Sequence, residues 1–236
     1  MGVSIGPAMI IGFVFMGIGM LVSYVLKNKF KKYSKIPSQS GFSGKEIAEK
    51  MLSDNGIFDV AVIHVPGQLT DHYNPTNRTV NLSDTVYNGR NAASTAVAAH
   101  ECGHAIQHAT AYSPLKLRSQ LVPLQAISGK ILNVVIMVSI FGGAFLFNSI
   151  PVEAILWTLI ITYGILALFS IVTLPVEFDA SKRALVWIEH SGFSTQEELT
   201  RSRDALKWAA MTYVVAAIGS LVTVLYYVSI LLNRRD

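Results

Sequence analysis

The sequence predicts a mainly α-helical integral membrane protein, with about four transmembrane helices and one polar module that combines a helix with a small β-hairpin. Three observations predict it. Hydrophobic residues make up 51% of the 236 positions and charged residues only 14%, against about 25% charged in ordinary soluble domains. Mean hydropathy is +0.44. Four apolar runs, roughly Ile5–Leu26, Ile131–Phe147, Val152–Leu174 and Trp208–Leu232, are each near or above the roughly 17 residues that cross the hydrocarbon of a bilayer. The polar module lies between the first two runs, from Lys27 to Gln120.

The first run lacks a basic n-region and a small-residue cleavage site and is too long for an h-region, so it reads as an anchor, not as a removed secretory signal. The N-terminal Met-Gly does not form a myristoylation signal, because Gly6 stands where Ser or Thr is required. Residues 27–35, KNKFKKYSK, follow the run; the positive-inside rule keeps them in the cytoplasm and puts the N-terminus outside. The net charge of +4 is then a topology signal. The expected partner is the lipid bilayer, including anionic lipid at the basic segment, and no nucleic acid is expected.

Within the module, Ser43-Gly44-Lys45-Glu46 reads as a capping box opening a helix to about Asn55, with Gly56 as its stop. Val60–Val65 reads as a strand ending at Pro66-Gly67, and Arg78–Leu82 as a second strand after the turn-rich HYNPTN. The two are expected to pair as a hairpin with a long loop, and either could offer an edge to an extended peptide. The next helix, AASTAVAAHECGHAIQ from Ala92, ends near Thr110 and before Pro114. The single cysteine, Cys102, excludes an intramolecular disulfide and reads as a small buried thiol. The sequons at Asn77 and Asn81 are chance matches if this loop is cytoplasmic.

About four residues, Asn148 to Pro151, join the second and third runs, which must form a helical hairpin. Two crossings return the chain to the side it left. Everything after Leu174 therefore shares a membrane face with the polar module, and Lys182, Arg183, Arg201, Arg203 and Lys207 agree with a cytoplasmic placement. Arg234 and Arg235 fall outside, against the rule. Ser139 with Gly143 and Ala216 with Ser220 suit close helix packing. The chain thus divides into a transmembrane anchor (1–26), a cytoplasmic module (27–120), a transmembrane hairpin (121–174), a cytoplasmic segment (175–207) and a fourth transmembrane helix with its tail (208–236).

The chemistry centres on His100-Glu101-Cys102-Gly103-His104. On a helix, His100 and His104 share one face a turn apart, so both imidazoles reach one metal ion. Glu101 is rotated off that face, which suits a base acting on metal-bound water. A third ligand is missing, and the same-side argument directs the search to the segment after Leu174. Glu177 and Ser181 share a helical face there, and Glu177 completes a His, His, Glu set with one position left for water; the bland reading pairs Glu177 with Arg183 or a helix dipole. A metzincin site is excluded, because Gln107 and Thr110 occupy the places of its glycine and third histidine. His108 lies one more turn along, which moves it about 6 Å farther from a metal centred between His100 and His104, and suits a supporting role.

VAAHECGHAIQH followed by LPVEFDASKRAL, within four spans, resembles the bacterial YugP-like family of putative neutral zinc metallopeptidases. The resemblance extends through LTDHYNPTNRTVNLS and ALKWAAMTYVVAAI; more distantly the chain is similar to membrane gluzincins of the Ste24/HtpX type. The resemblance implies a zincin-like module holding one Zn2+ through His100, His104 and Glu177, with Glu101 catalytic. In the Ste24/HtpX pattern an aspartate four residues after the glutamate orients a ligand histidine. Here that position is Ser181, a weaker acceptor for an imidazole N–H, and Asp179 is two residues off and on the wrong face.

The expected reaction is peptide-bond hydrolysis by a multi-pass protease of the cell membrane, with its active site on the cytoplasmic face and membrane or membrane-near proteins as substrates. Zinc lowers the pKa of its bound water toward about 7; Glu101 takes the proton and delivers it to the leaving amine. His64, His72, Tyr73, His190, Arg201 and Tyr213 are candidate oxyanion donors among which the sequence does not choose. A catalytically silent zinc-binding scaffold is the alternative. A transporter is disfavoured, since no span carries a clear mid-membrane charge. A rigid site beside the membrane leaves room for a membrane partner protein or an oligomer.

Overall fold

The structure, a computed structural model, describes residues 5–141 and 150–233. Ten elements follow in order: α1 (Ile5–Tyr33), α2 (Gly44–Asp54), β1 (Ala61–Val65), β2 (His72–Asn74), β3 (Thr79–Ser83), α3 (Asp84–Tyr87), α4 (Ala92–Ala109), α5 (Ser113–Phe141), α6 (Val152–His190) and α7 (Gln196–Leu232). Among the described residues, four helices are long and apolar enough to cross a membrane: Pro7–Tyr33, Ser113–Val138, Val152–His190 and Gln196–Leu232. The protein is a mainly α membrane protein with a small sheet.

The chain forms two compact units. One comprises residues 1–21, 117–173 and 212–236, the other Val22–Lys116 and Leu174–Met211. In the first, Leu156, Leu159, Tyr227 and Leu231 make a small core, and Gly219 lets a helix backbone approach Phe15, whose ring lies 3.0 Å from where a Cβ would stand. Phe13, Leu21, Val134, Ile161 and Leu225 are each more than half exposed, as expected of side chains that meet hydrocarbon.

Two spans differ from their apolar runs. Helix α5 starts at Ser113, well before Ile131, with Pro114 in its first turn and Pro123 inside it; proline costs nothing in a first turn, where its missing N–H has no partner anyway. Helix α6 continues unbroken through Pro175 to His190, so the third span and the segment carrying Glu177 are one helix. Its 39 residues extend about 58 Å at 1.5 Å per residue. The turn expected at Asn148–Pro151 falls largely outside the described residues, as do Phe147, Gly143, Arg234 and Arg235. Ser220 bonds the carbonyl of Ala216 within its own helix at 2.9 Å.

The second unit is built around α4. Asn91 caps it by accepting from the Ser94 N–H at 2.9 Å. At the other end, Ala111 adopts φ +51°; the Tyr112 N–H reaches the Gln107 carbonyl at 2.9 Å and the Ala111 N–H reaches that of His108 at 3.1 Å, the crossed pair of bonds that closes a helix through a left-handed residue. Six alanines of α4 (Ala92, Ala93, Ala96, Ala98, Ala99 and Ala105) are buried, which lets neighbours approach on several sides. Ile47 and Met51 of α2, Val80 and Leu82 of β3 and Ile188 of α6 pack in the same core. The capping box that opens α2 is formed in full, Ser43 with Glu46.

The sheet has order β1-β3-β2. β1 pairs with β3 in parallel, from Ala61↔Thr79 to Val65↔Ser83, so the expected antiparallel pairing of these two strands is corrected. The hairpin is instead β2 with β3, in register Tyr73↔Val80, and its turn is stabilised by the Asn74 side chain accepting from the N–H groups of Thr76 and Asn77. At three residues, β2 is too short to show a period-two pattern in sequence. Because β3 is paired on both sides, Arg78–Leu82 offers no edge; the edges belong to β1 and β2.

Loss of the cap should be felt throughout this unit. Asn91→Ala is expected to lower stability by about 1 kcal/mol, and Asn91→Asp by less, measured by thermal or denaturant unfolding in detergent micelles.

Candidate metal centre

Helix α4 presents His100 and His104 with ring centroids 4.8 Å apart and planes nearly perpendicular, at 83°. Helix α6 presents Glu177, whose Oε2 lies 3.3 Å from His100 Nε2 and 3.7 Å from His104 Nε2. All three donor atoms fall within 4.8 Å of one another. A tetrahedral zinc with bonds of about 2.0–2.1 Å places its donors roughly 3.3 Å apart, so the residues fit that ion in kind, number and spacing. Glu177 and His104 are buried and His100 is half-buried. Arg183 pairs with Asp179 at 2.6 Å, which removes it as the partner that the bland reading gave Glu177.

Gly103 explains how a second helix comes so close. A Cβ at this position would stand 2.5 Å from the carbonyl oxygen of Ala180, and Ala180 is itself small and fully buried. The missing side chain at Gly103 lets α4 approach the backbone of α6 beside His100, His104 and Glu177.

Behind each histidine stands a hydrogen-bonding partner. Ser181 Oγ lies 3.1 Å from His100 Nδ1. Gln107 Oε1 lies 3.0 Å from His104 Nδ1, and its amide nitrogen donates to the Val176 carbonyl at 2.7 Å and to Asp179 at 2.9 Å. Asp179 does miss His100, but it serves the other histidine through Gln107. Sequence reasoning did not find this link, although Gln107 sits three residues after His104, a helical neighbour.

Glu101 is buried, and its Oε2 accepts the backbone N–H of Tyr73 at 3.0 Å. Burial raises its pKa above the ordinary carboxylate value, while the charges of His100 and His104 pull the other way. Since the Tyr73 N–H is spent on Glu101, residue 73 turns its backbone away from β3, and β2 is the sheet edge that meets the site. Cys102 is fully buried with Sγ 3.5 Å from the Ala48 carbonyl; burial pushes its thiol well above the usual range.

The remaining sequence candidates are distributed more widely. His108 Nδ1 lies 2.7 Å from the Tyr73 hydroxyl, and both line a cavity of about 330 Å³ with Ile57, Val60, Ala105 and Ala109. His64 is 3.5 Å from Asp84, His72 bonds the Thr70 carbonyl at 2.8 Å, His190 the Val186 carbonyl at 2.7 Å, and Arg201 pairs with Glu197. Tyr213 belongs to the other compact unit. Of the six oxyanion candidates, Tyr73 is the one bonded to Glu101.

A histidine pair one helical turn apart, a glutamate from a second helix, an adjoining buried carboxylate and four apolar helices define a membrane-associated protein with a metallopeptidase-type centre. The chain belongs to the family described as "putative neutral zinc metallopeptidase", which matches residues 8–232. It is 39% identical over 221 residues, 94% of this chain and 95% of the relative, to "Putative membrane protease YugP" of Bacillus subtilis (strain 168). No solved structure matches. Membership makes zinc the implied metal.

The helix contact is open to direct test. Gly103→Ala is expected to cost about 1–3 kcal/mol through overpacking and to reduce bound zinc, read by thermal unfolding and metal analysis. Gly164→Ala, where a Cβ meets nothing within 4 Å, is expected to leave bound zinc unchanged and to keep or slightly raise stability.

Proposed function

We propose that this protein is a gluzincin-type zinc endopeptidase acting on membrane or membrane-near proteins at the cytoplasmic face of the cell membrane. His100, His104 and Glu177 hold one Zn2+, and Glu101 is the general base. The observation that carries the reading is the convergence of three donor atoms at zinc spacing beside a buried carboxylate that is not part of the cluster.

Bound there, zinc supplies Lewis acidity, lowering the pKa of a coordinated water toward about 7 and polarising a carbonyl. The protein's own residues do the rest. Glu101, with Oε2 held by the Tyr73 N–H and its proton affinity raised by burial, accepts a proton and returns it to the leaving amine. An extended peptide meets the outer edge of β2 through the outward Tyr73 carbonyl, the Tyr73 N–H being held by Glu101, and such main-chain bonding tolerates varied side chains. Tyr73 and His108 stand at the rim of that edge. The cytoplasmic placement is supported by the exposed lysines that close α1, Lys31 and Lys32, under the positive-inside rule.

Glu101→Gln is expected to retain zinc and to slow cleavage of a membrane-protein or casein substrate by about 10²–10⁴-fold. Glu177→Ala is expected to lose stoichiometric zinc. Cleavage by Glu101→Gln at the wild-type rate would sink the mechanism and favour a zinc-binding scaffold; full zinc in Glu177→Ala would remove Glu177 from the ligand set.

A further inference from the structure

The two imidazoles are backed by chemically different groups, and the difference decides which nitrogen carries hydrogen. Gln107 is fully buried. Its amide nitrogen donates to the Val176 carbonyl at 2.7 Å and to the Asp179 carboxylate at 2.9 Å. Both partners accept only, so the amide cannot be reversed without setting its oxygen against two acceptors. The amide oxygen therefore faces His104 Nδ1, at 3.0 Å, and an amide oxygen cannot donate. Nδ1 must supply the hydrogen, which leaves the lone pair of a neutral ring on Nε2, the nitrogen 3.7 Å from Glu177.

The support is fixed at both ends. Arg183 Nε donates to the same Asp179 oxygen at 2.6 Å, and the Gln107 carbonyl is held by the Tyr112 N–H at 2.9 Å in the turn that ends α4. Ser181 imposes no comparable choice on His100, since a hydroxyl 3.1 Å from Nδ1 can donate or accept.

We propose that Gln107, backed by Asp179 and Arg183, is a positioning residue that fixes His104 as its Nδ1–H tautomer and presents Nε2 to the metal. The zinc part of this inference rests on the peptidase reading above; the tautomer does not. The site is thus asymmetric: one ligand is pre-set by a buried amide, the other is adjusted by a hydroxyl.

The test uses the full-length protein in detergent, labelled with 15N-histidine, as wild type, Gln107→Met, Asp179→Asn, Asp179→Leu and Ser181→Ala. In metal-free wild type, at a pH where both imidazoles are neutral, the nitrogen shifts of His104 are expected to report Nδ1–H, and Gln107→Met to lose that preference. Zinc affinity, measured by competition with a chelator, is expected to fall about 10–100-fold in Gln107→Met and less in Ser181→Ala. Asp179→Asn keeps an acceptor for the amide and is expected to recover most of the affinity lost in Asp179→Leu, which a merely space-filling role would not produce. An Nε2–H ring in metal-free wild type overturns the proposal, as does a Gln107→Met variant with wild-type tautomer and zinc affinity. If wild type binds no zinc while its His104 tautomer still depends on Gln107, the peptidase reading falls and the positioning role stands.

Discussion

The site depends on one contact, the approach of α4 to α6 at Gly103 and Ala180. The distances within the site go with it: with Gly103 against the Ala180 backbone, the Glu177 carboxylate of one helix reaches the two imidazoles of the other. The same approach brings the Val176 carbonyl and Asp179 within reach of Gln107, and Ser181 within reach of His100. A glycine between His100 and His104 therefore has a packing reason independent of the chemistry. The alanines along the rest of α4 play a similar part toward the other neighbours of the helix.

Charge explains why such a contact is worth holding. Glu101 and Glu177 are both buried, and buried carboxylates without compensation cost several kcal/mol each. Asp179 is balanced by Arg183, so it adds no net demand. At the site Glu177 lies against both imidazoles and Glu101 accepts the Tyr73 N–H, so the approach of α4 to α6 brings together groups that offset this cost.

Parts of this were legible in the sequence because they rest on periodicities. The spacing of His100 and His104 fixes a shared helical face, the capping residues mark α2, and counting crossings directs attention to Glu177. What was missed depends on facts that no local pattern encodes. Which face of α6 turns toward α4 decides that Ser181 meets His100 directly and that Asp179 reaches His104 only through Gln107. The parallel pairing of β1 with β3 is a tertiary choice between two strands that read alike, and three residues of β2 leave no alternation to detect. In sequence Pro175 suits either the first turn of a new helix or a continuation of the third span, and α6 runs through it, since one proline removes a single helical hydrogen bond.

That continuity bears on where the site can act. The apolar run within α6 ends at Leu174, and Glu177 follows in the same helix. For the endopeptidase proposed above, a substrate bond would be presented as an extended juxtamembrane segment. A bond in the middle of a transmembrane helix would first have to leave the hydrocarbon and unwind, losing backbone hydrogen bonds worth several kcal/mol each in that medium.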